Sequence, residues 1–195
     1  MQTLVVGDVH GCAKELFELL KKTHFSPDRD RLLLTGDAFS RGPDPLGVWH
    51  LIDEYGAEMV LGNHDARLRQ QLDALSEDGS PGRIKPDQRF TLHALESIHS
   101  TLRTWLHQVP LYIEEERFLL VHAGINPERG LAETSFEEFI TIRIWPPVKG
   151  SIDGPRWHEV YEPLHPLLIF GHDAPSGLIT KQRDGKPYLL GIDTG

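Results

Sequence analysis

Residues 3 to 11 read T-L-V-V-G-D-V-H-G. A short apolar run closed by a glycine reads as a buried strand opening into a loop. Beyond its end Asp8 and His10 stand two residues apart, so an extended backbone points both to the same side. Ala13, Leu16, Phe17 and Leu20 then recur at helical spacing. The same succession repeats twice. Arg31 to Gly36 forms a second strand ending in Asp37, and Val48, Leu51, Ile52 and Tyr55 return to helical spacing, with Gly56 placed to stop the helix. Residues 57–62, A-E-M-V-L-G, give a third strand that leads into Asn63, His64 and Asp65. This β-α-β-α-β order implies an α/β fold with largely parallel strands at its start.

Downstream, Leu68, Leu72 and Leu75 make one helical stripe and Leu95, Ile98, Leu102 and Leu106 another, separated by the polar stretch S-E-D-G-S-P-G-R-I-K-P-D. Strands then return. P-L-Y-I and R-F-L-L-V-H flank an E-E-E turn, Ser135 and Glu138 are spaced as a capping box, and residues 146–166 read as an irregular Pro- and Gly-rich loop. P-L-L-I-F-G-H is another buried strand, and Asp184-Gly185 marks a closing hairpin. The expectation is a single domain, 1–195, with a helical insertion at about 66–108.

Bulk composition narrows the function. Acidic residues outnumber basic ones, 29 to 20, for a net charge of −9, which argues against indiscriminate binding of DNA or an anionic membrane surface. An anionic substrate would need local attraction. One cysteine, Cys12, rules out an intrachain disulfide framework and fits a reducing compartment. The N-terminus lacks the pattern of a signal peptide and no run nears the ~20 apolar residues of a membrane span, so a cytoplasmic location is expected. A monomer is the working expectation.

The polar residues collect at strand ends: Gly7-Asp8-Val9-His10-Gly11, Gly36-Asp37, Gly62-Asn63-His64-Asp65, Val121-His122-Ala123-Gly124 and Gly171-His172-Asp173. Ligands bind outside the carboxyl ends of strands in open α/β sheets. Taken singly, each motif also fits an ordinary turn with a satisfied histidine. Their joint occurrence, each after a strand, does not fit that reading. Asp8, His10, Asp37, Asn63, His122 and His172 offer oxygen and nitrogen donors without a thiolate, suited to Mn, Co, Fe or Zn as divalent ions. They exceed the needs of one tetrahedral ion and suffice for two sharing a carboxylate, with Asp37 the central candidate for the bridge. Arg41 supplies a fork-shaped cation for phosphate.

In this order, G-D-V-H-G, G-D-A-F-S-R-G, G-N-H-D, H-A-G and the late G-H resemble the metallophosphoesterases of the phosphoprotein phosphatase type. The stretch W-L-H-Q-V-P-L followed by a hairpin and H-A-G-I is similar to the bacterial symmetrical bis(5′-nucleosyl)-tetraphosphatases, or diadenosine tetraphosphatases. The resemblance implies a calcineurin-like β-sandwich of two mixed sheets flanked by helices. It implies symmetrical cleavage of diadenosine tetraphosphate to two ADP by a hydroxide bridging two divalent metal ions, manganese by expectation. The alternative is a protein phosphatase of the same fold. Carried over motif by motif, Asp8 and His10 hold the first metal, Asp37 bridges, and Asn63, His122 and His172 hold the second. Arg41, Asn63 and Arg143 bind substrate phosphate, and His64 is the general acid. The partner implied is a small nucleotide or phosphoester.

Two departures stand out. The family pattern is usually G-D-x-x-D-R-G, and Ser40 occupies the second acid, which normally pairs with the histidine of G-N-H. The resemblance therefore implies that the carboxylate which would orient His64 and favour its protonated form is replaced by a serine. A tetraphosphate leaves as a nucleoside diphosphate whose terminal phosphate has a second pKa of about 6, so anhydrides are expected to suffer less from a weakened acid than phosphoesters. The family's last strand also runs on beyond I-D-T-G, where this chain stops at Gly195, so an incomplete sheet edge or a shortened chain is expected there. Arg83, Lys85 and Arg89 lie where they could reach a polyphosphate, although solvated surface charge is the commoner role. Trp145, Trp157 and Tyr161 could stack on a base, with core or loop anchoring the expected role.

Overall fold

The computed structural model describes residues 1–148, 151 and 153–195. The chain divides into two compact units, Met1–Val109 and Pro110–Gly195.

The first unit is built on a three-stranded sheet, β1 (Thr3–Val6), β2 (Arg31–Leu34) and β3 (Glu58–Met59), in that order. All pairing is parallel, with Val5 opposite Leu33 and Leu34 opposite Met59. Leu33 and Leu34 are fully buried, as a strand covered on both faces requires. Parallel direction puts the three carboxyl ends on one edge. β3 is shorter than the six-residue run expected. Val60 N–H still donates to Leu34 O at 3.2 Å, but the backbone then leaves the sheet toward a helix.

Helix α1 (Ala13–Lys22) buries Ala13, Leu16 and Leu20, and Lys21 and Lys22 complement the dipole in its last turn. Helix α2 (Pro45–Glu54) begins with Pro at its first position and an Asp44 cap that accepts from Gly47 N–H at 2.8 Å. The region expected to be helical resolves into α3 (Asn63–Asp78), α4 (Pro86–Ala94) and α5 (His99–Leu106). Leu68, Leu72, Leu95, Leu102 and Leu106 are all buried, each contributing about 1.5–3 kcal/mol relative to exposure. Asp73 ties α3 to α5, accepting from Arg103 Nε at 2.6 Å with His107 Nε2 at 2.9 Å.

The second unit carries a five-stranded mixed sheet of β4 (Tyr112–Glu114), β5 (Leu119–Val121), β6 (Leu168–Phe170), β7 (Ile179–Arg183) and β8 (Lys186–Gly191), ordered β4-β5-β6-β8-β7. β5, β6 and β8 run parallel, and β4 and β7 close the edges antiparallel. Asp184 and Gly185 both have positive φ, 53° and 74°, as a two-residue type I′ hairpin demands. Ser135 caps α6 (Phe136–Thr141) in the expected box with Glu138.

One expectation needs correction. Residues 146–166 are not irregular throughout: α7 (Trp157–Val160) forms within them, and Arg156 bridges to Ile144. Residues 149, 150 and 152 of that stretch lie outside the described residues. Four residues carry too little periodicity to show through the Pro and Gly around them. Trp157 is the cause of the helix. It is 1% exposed and packs on Tyr161 and Phe170 at ring separations of 5.7 and 5.2 Å. Trp145 is also buried and donates Nε1–H to Glu128 at 2.9 Å. Trp145, Trp157 and Tyr161 are thus core and loop anchors. Among the described residues no helix is long and apolar enough to cross a membrane.

Candidate functional site

In the first unit the site grows from the shared edge of β1, β2 and β3. Asp8 follows β1, and its Oδ1 accepts from the buried Thr35 hydroxyl at 2.9 Å. His10 N–H donates to Asp37 O at 2.9 Å and Gly11 N–H to Ala38 O at 2.7 Å, so the two loops are stitched together by backbone. One ligand atom each of Asp8, His10 and Asp37 lie within 4.8 Å of one another, and His10 Nε2 stands 3.9 Å from Asp37 Oδ2. Two carboxylates and an imidazole fit a hard or borderline divalent ion. Cys12 is not part of this set. Its Sγ faces the His10 carbonyl at 3.7 Å, and burial, then Glu15, raise its pKa and keep it a neutral thiol.

The backbone is strained where the chemistry is. Among the described residues, the non-glycine positions with positive φ are His10, His24, Asp37, Arg41, His172 and Asp184. His24 ends a helix and Asp184 turns a hairpin. The other four are motif residues. Such conformations cost about 1–3 kcal/mol each and persist only where surrounding contacts hold them, which favours a built site over an ordinary turn.

Asp65 supplies much of that hold, and sequence reasoning missed it. The residue is fully buried. Its Oδ2 accepts from Asp37 N–H at 2.6 Å and Gly62 N–H at 3.2 Å, and its Oδ1 from Ala38 N–H at 3.1 Å. It caps α3 and fixes the Asp37 loop with one carboxylate. The signal was available: an acid three residues after the helix-capping glycine is a capping-box spacing. Gly62 is required beside it, because a Cβ there would collide with Asp37 N and Oδ1.

Asn63 and His64 open α3. His64 N–H donates to Asp37 Oδ1 at 2.8 Å. Arg41 Nη2 stands 3.0 Å from His64 Nε2. Arginine only donates, so that ring nitrogen accepts in this arrangement. The His64 ring also meets His10 edge-on at 5.3 Å. Arg83, Lys85 and Arg89 are exposed.

In the second unit the parallel neighbours β5 and β6 deliver His122 and His172 from the same edge. Both are buried, and their ring centroids are 4.9 Å apart. Gly171 N–H donates to His122 O at 2.8 Å. Arg143 lies just past α6, half-buried, and turns inward. Its Nε donates to His172 Nε2 at 3.0 Å and its Nη2 to His172 O at 2.8 Å. It is not a helix-surface arginine. Thus Asp8, His10, Asp37, Arg41, Asn63 and His64 collect in the first unit and His122, Arg143 and His172 in the second.

The profile of the calcineurin-like phosphoesterase family matches residues 1–191. The chain is 39% identical over 132 residues to a symmetrical bis(5′-nucleosyl)-tetraphosphatase of Salmonella paratyphi C, covering 66% of this chain and 45% of that protein. It is 40% identical over 139 residues to the protein of the same description from Actinobacillus pleuropneumoniae serotype 3, covering 69% and 49%. The chain therefore spans about half the length of the curated relatives it matches. Among solved structures, one provisionally assigned as a diadenosine tetraphosphatase is 30% identical, with a TM-score of 0.79 over 98% of this chain and 82% of that one. A serine/threonine phosphatase of Saccharomyces cerevisiae, 16% identical with a TM-score of 0.65, covering 98% and 66%, shares the fold alone.

Proposed function

Because the chain belongs to the calcineurin-like phosphoesterase family, we propose that it hydrolyses phosphoanhydrides, cutting diadenosine tetraphosphate symmetrically into two ADP. The observation that carries the reading is the Asp8, His10 and Asp37 cluster, with donor atoms within 4.8 Å on loops held in left-handed backbone. The curated relatives' description supplies the substrate class.

Asp8 and His10 would hold one divalent ion, Asn63, His122 and His172 a second, and Asp37 both; manganese is the proposed native ion. When bound, such a pair neutralises phosphate charge and supplies a water of lowered pKa. The remaining work falls to the chain. Arg41 binds substrate phosphate as a fork, Asn63 adds an amide contact, and Arg143 grips a second oxygen. On turning to phosphate, Arg41 gives up its 3.0 Å contact with His64, and Nε2 becomes available to carry the proton. Water oxygen bonds to a β-phosphorus, the central bridging P–O bond breaks, and His64 Nε2 offers a proton to the departing diphosphate oxygen.

The family profile runs across both compact units, which supports reading them as one metallophosphoesterase domain with a helical insertion at about 66–108. The substrate is a small nucleotide met in the cytoplasm, and no DNA is involved. The test compares turnover of diadenosine tetraphosphate and of a phosphopeptide at equal Mn²⁺. Preference for the tetraphosphate supports the reading, preference for the phosphopeptide assigns a protein phosphatase, and no turnover of either refutes it.

A further inference from the structure

Helix α3 starts beside Asp37, whose Oδ1 accepts from His64 N–H at 2.8 Å, and leads away from it toward Asp78. Arg67 stands three residues past His64, one turn on along the same face and about 4.5 Å further down the axis. It is exposed, and with Ser40, His64 and Gln88 it lines a narrow crevice between the Asp37 loop, α3 and α4. Among the described residues no acid lines that crevice. The helix neighbours of Arg67 three and four positions away are Asn63, His64, Gln70 and Gln71, so no carboxylate stands at ion-pair spacing on α3 either. Arg67 has no acidic partner among the described residues. Arg83 and Arg89 are likewise without one, but neither lines the crevice with His64. A chain of net charge −9 thus keeps an unneutralised cation one turn from the candidate general acid.

We propose that Arg67 binds the diphosphate that leaves, and so selects substrates whose leaving group carries phosphate. The inference rests on the reading of His64 as general acid. His64 meets the oxygen of the breaking bond, so the leaving group lies on its far side from Asp37. Helix α3 carries Arg67 in that direction. A long side chain ending in a two-pronged donor suits the phosphate attached to the leaving oxygen. When the central P–O bond breaks, negative charge grows on the departing diphosphate. A cation placed there stabilises the transition state more than the ground state. Arg67 thus works by charge where His64 works by proton. Serine at position 40 leaves the crevice without a carboxylate to hold the guanidinium back. An alcohol or phenol leaving group offers this arginine nothing to bind.

The test uses the Mn²⁺-loaded wild-type chain, Arg67→Ala and Arg67→Lys. The substrates are diadenosine tetraphosphate, whose leaving group is ADP, and phenyl phosphate, whose leaving group is phenolate. Arg67→Ala should lower kcat/KM for the tetraphosphate about 10–100-fold, the worth of a charged hydrogen bond. The ratio of kcat/KM between tetraphosphate and phenyl phosphate should fall about tenfold or more. Arg67→Lys keeps the charge without the fork and should lie between Arg67→Ala and the wild-type chain. Added ADP should inhibit phenyl phosphate turnover less in Arg67→Ala than in the wild-type chain. Melting temperature and Mn²⁺ titration should not move, because the side chain is exposed. Equal losses on both substrates, or no loss on the tetraphosphate, would overturn the proposal while leaving His64 as the acid. If His64→Asn does not lower phenyl phosphate turnover, the acid reading fails and this proposal with it.

Discussion

Asp65 holds Asp37 in place: its Oδ2 takes the Asp37 backbone N–H at 2.6 Å from a fully buried position. The residue read from sequence as part of a metal motif is a brace for the ligand loop. Asp65→Asn puts an amide where three backbone N–H groups need acceptors, which costs about 1–3 kcal/mol. Urea unfolding should show that loss. Mn²⁺ affinity should fall about 10–100-fold, as for other residues that orient metal ligands. A variant with wild-type stability and wild-type Mn²⁺ titration would remove the bracing role.

Ser40, in place of an acid, should set the leaving-group range. Ser40→Asp restores an acid beside His64 and should raise kcat on aryl phosphates more than on diadenosine tetraphosphate, whose leaving diphosphate departs with little protonation. Paired steady-state assays decide it. An equal gain on both substrates, or no gain on either, contradicts the argument.

Arg143 should matter to binding more than to chemistry. It donates to both the ring and the carbonyl of His172, which aims it inward from the end of α6. Removing a charged hydrogen bond to phosphate costs about 1.5–3 kcal/mol, so Arg143→Ala should raise KM for the tetraphosphate about tenfold or more. Arg143→Lys should recover little, since an ammonium lacks the two-pronged geometry. Unchanged KM in Arg143→Ala would return this residue to a purely structural role.

Acid should destabilise the fold in two stages. His158 is buried, and among the described residues neither of its ring nitrogens has a hydrogen-bond partner. Burial first, then Lys181 and Arg156, push its pKa below the usual histidine value, against the opposing pull of Asp173 and Glu159. The unfolded chain therefore takes up that proton first, and stability present above about pH 6.5 is lost as the pH falls below it. Asp73 and Glu138 act lower down. Burial alone would raise both, but hydrogen bonds from His107 and Arg103, and from Ser135 and Asn126, outweigh it. Their contribution is present above about pH 4 and is lost as the pH falls through their lowered folded values. Melting curves from about pH 2 to 8 should show both stages, and His158→Phe should abolish the upper one. An unchanged upper stage in that variant would exclude His158 as its source.

What was legible in the sequence was whatever local pattern dictates. Asp8, Asp37, Asn63, His122 and His172 each follow an apolar run, and the structure places each just past a strand or opening a helix. The Asp184-Gly185 turn and the Ser135 cap follow from φ preference and side-chain reach, so they too were readable. What was not legible depends on packing. Asp65 stands at capping-box spacing from Gly62, so its cap on α3 was readable, but its hold on the N–H groups of Asp37 and Ala38 shows only in the folded loops. Helix α7 exists because Trp157 fills the core, a long-range fact invisible in four residues. The resemblance singled out Arg143 as a phosphate ligand, but its contact with His172 depends on how the chain turns past α6 and could not be read from the sequence.

We propose symmetrical hydrolysis of a phosphoanhydride by a chain that brings its own acid and phosphate ligands to a divalent metal site. Hydrolysis of diadenosine tetraphosphate in ¹⁸O-labelled water with Mn²⁺, read by mass spectrometry, tests it most directly. ADP should be the sole product, with one of every two molecules carrying a single ¹⁸O on its β-phosphate. AMP with ATP, label elsewhere, or no product would contradict it.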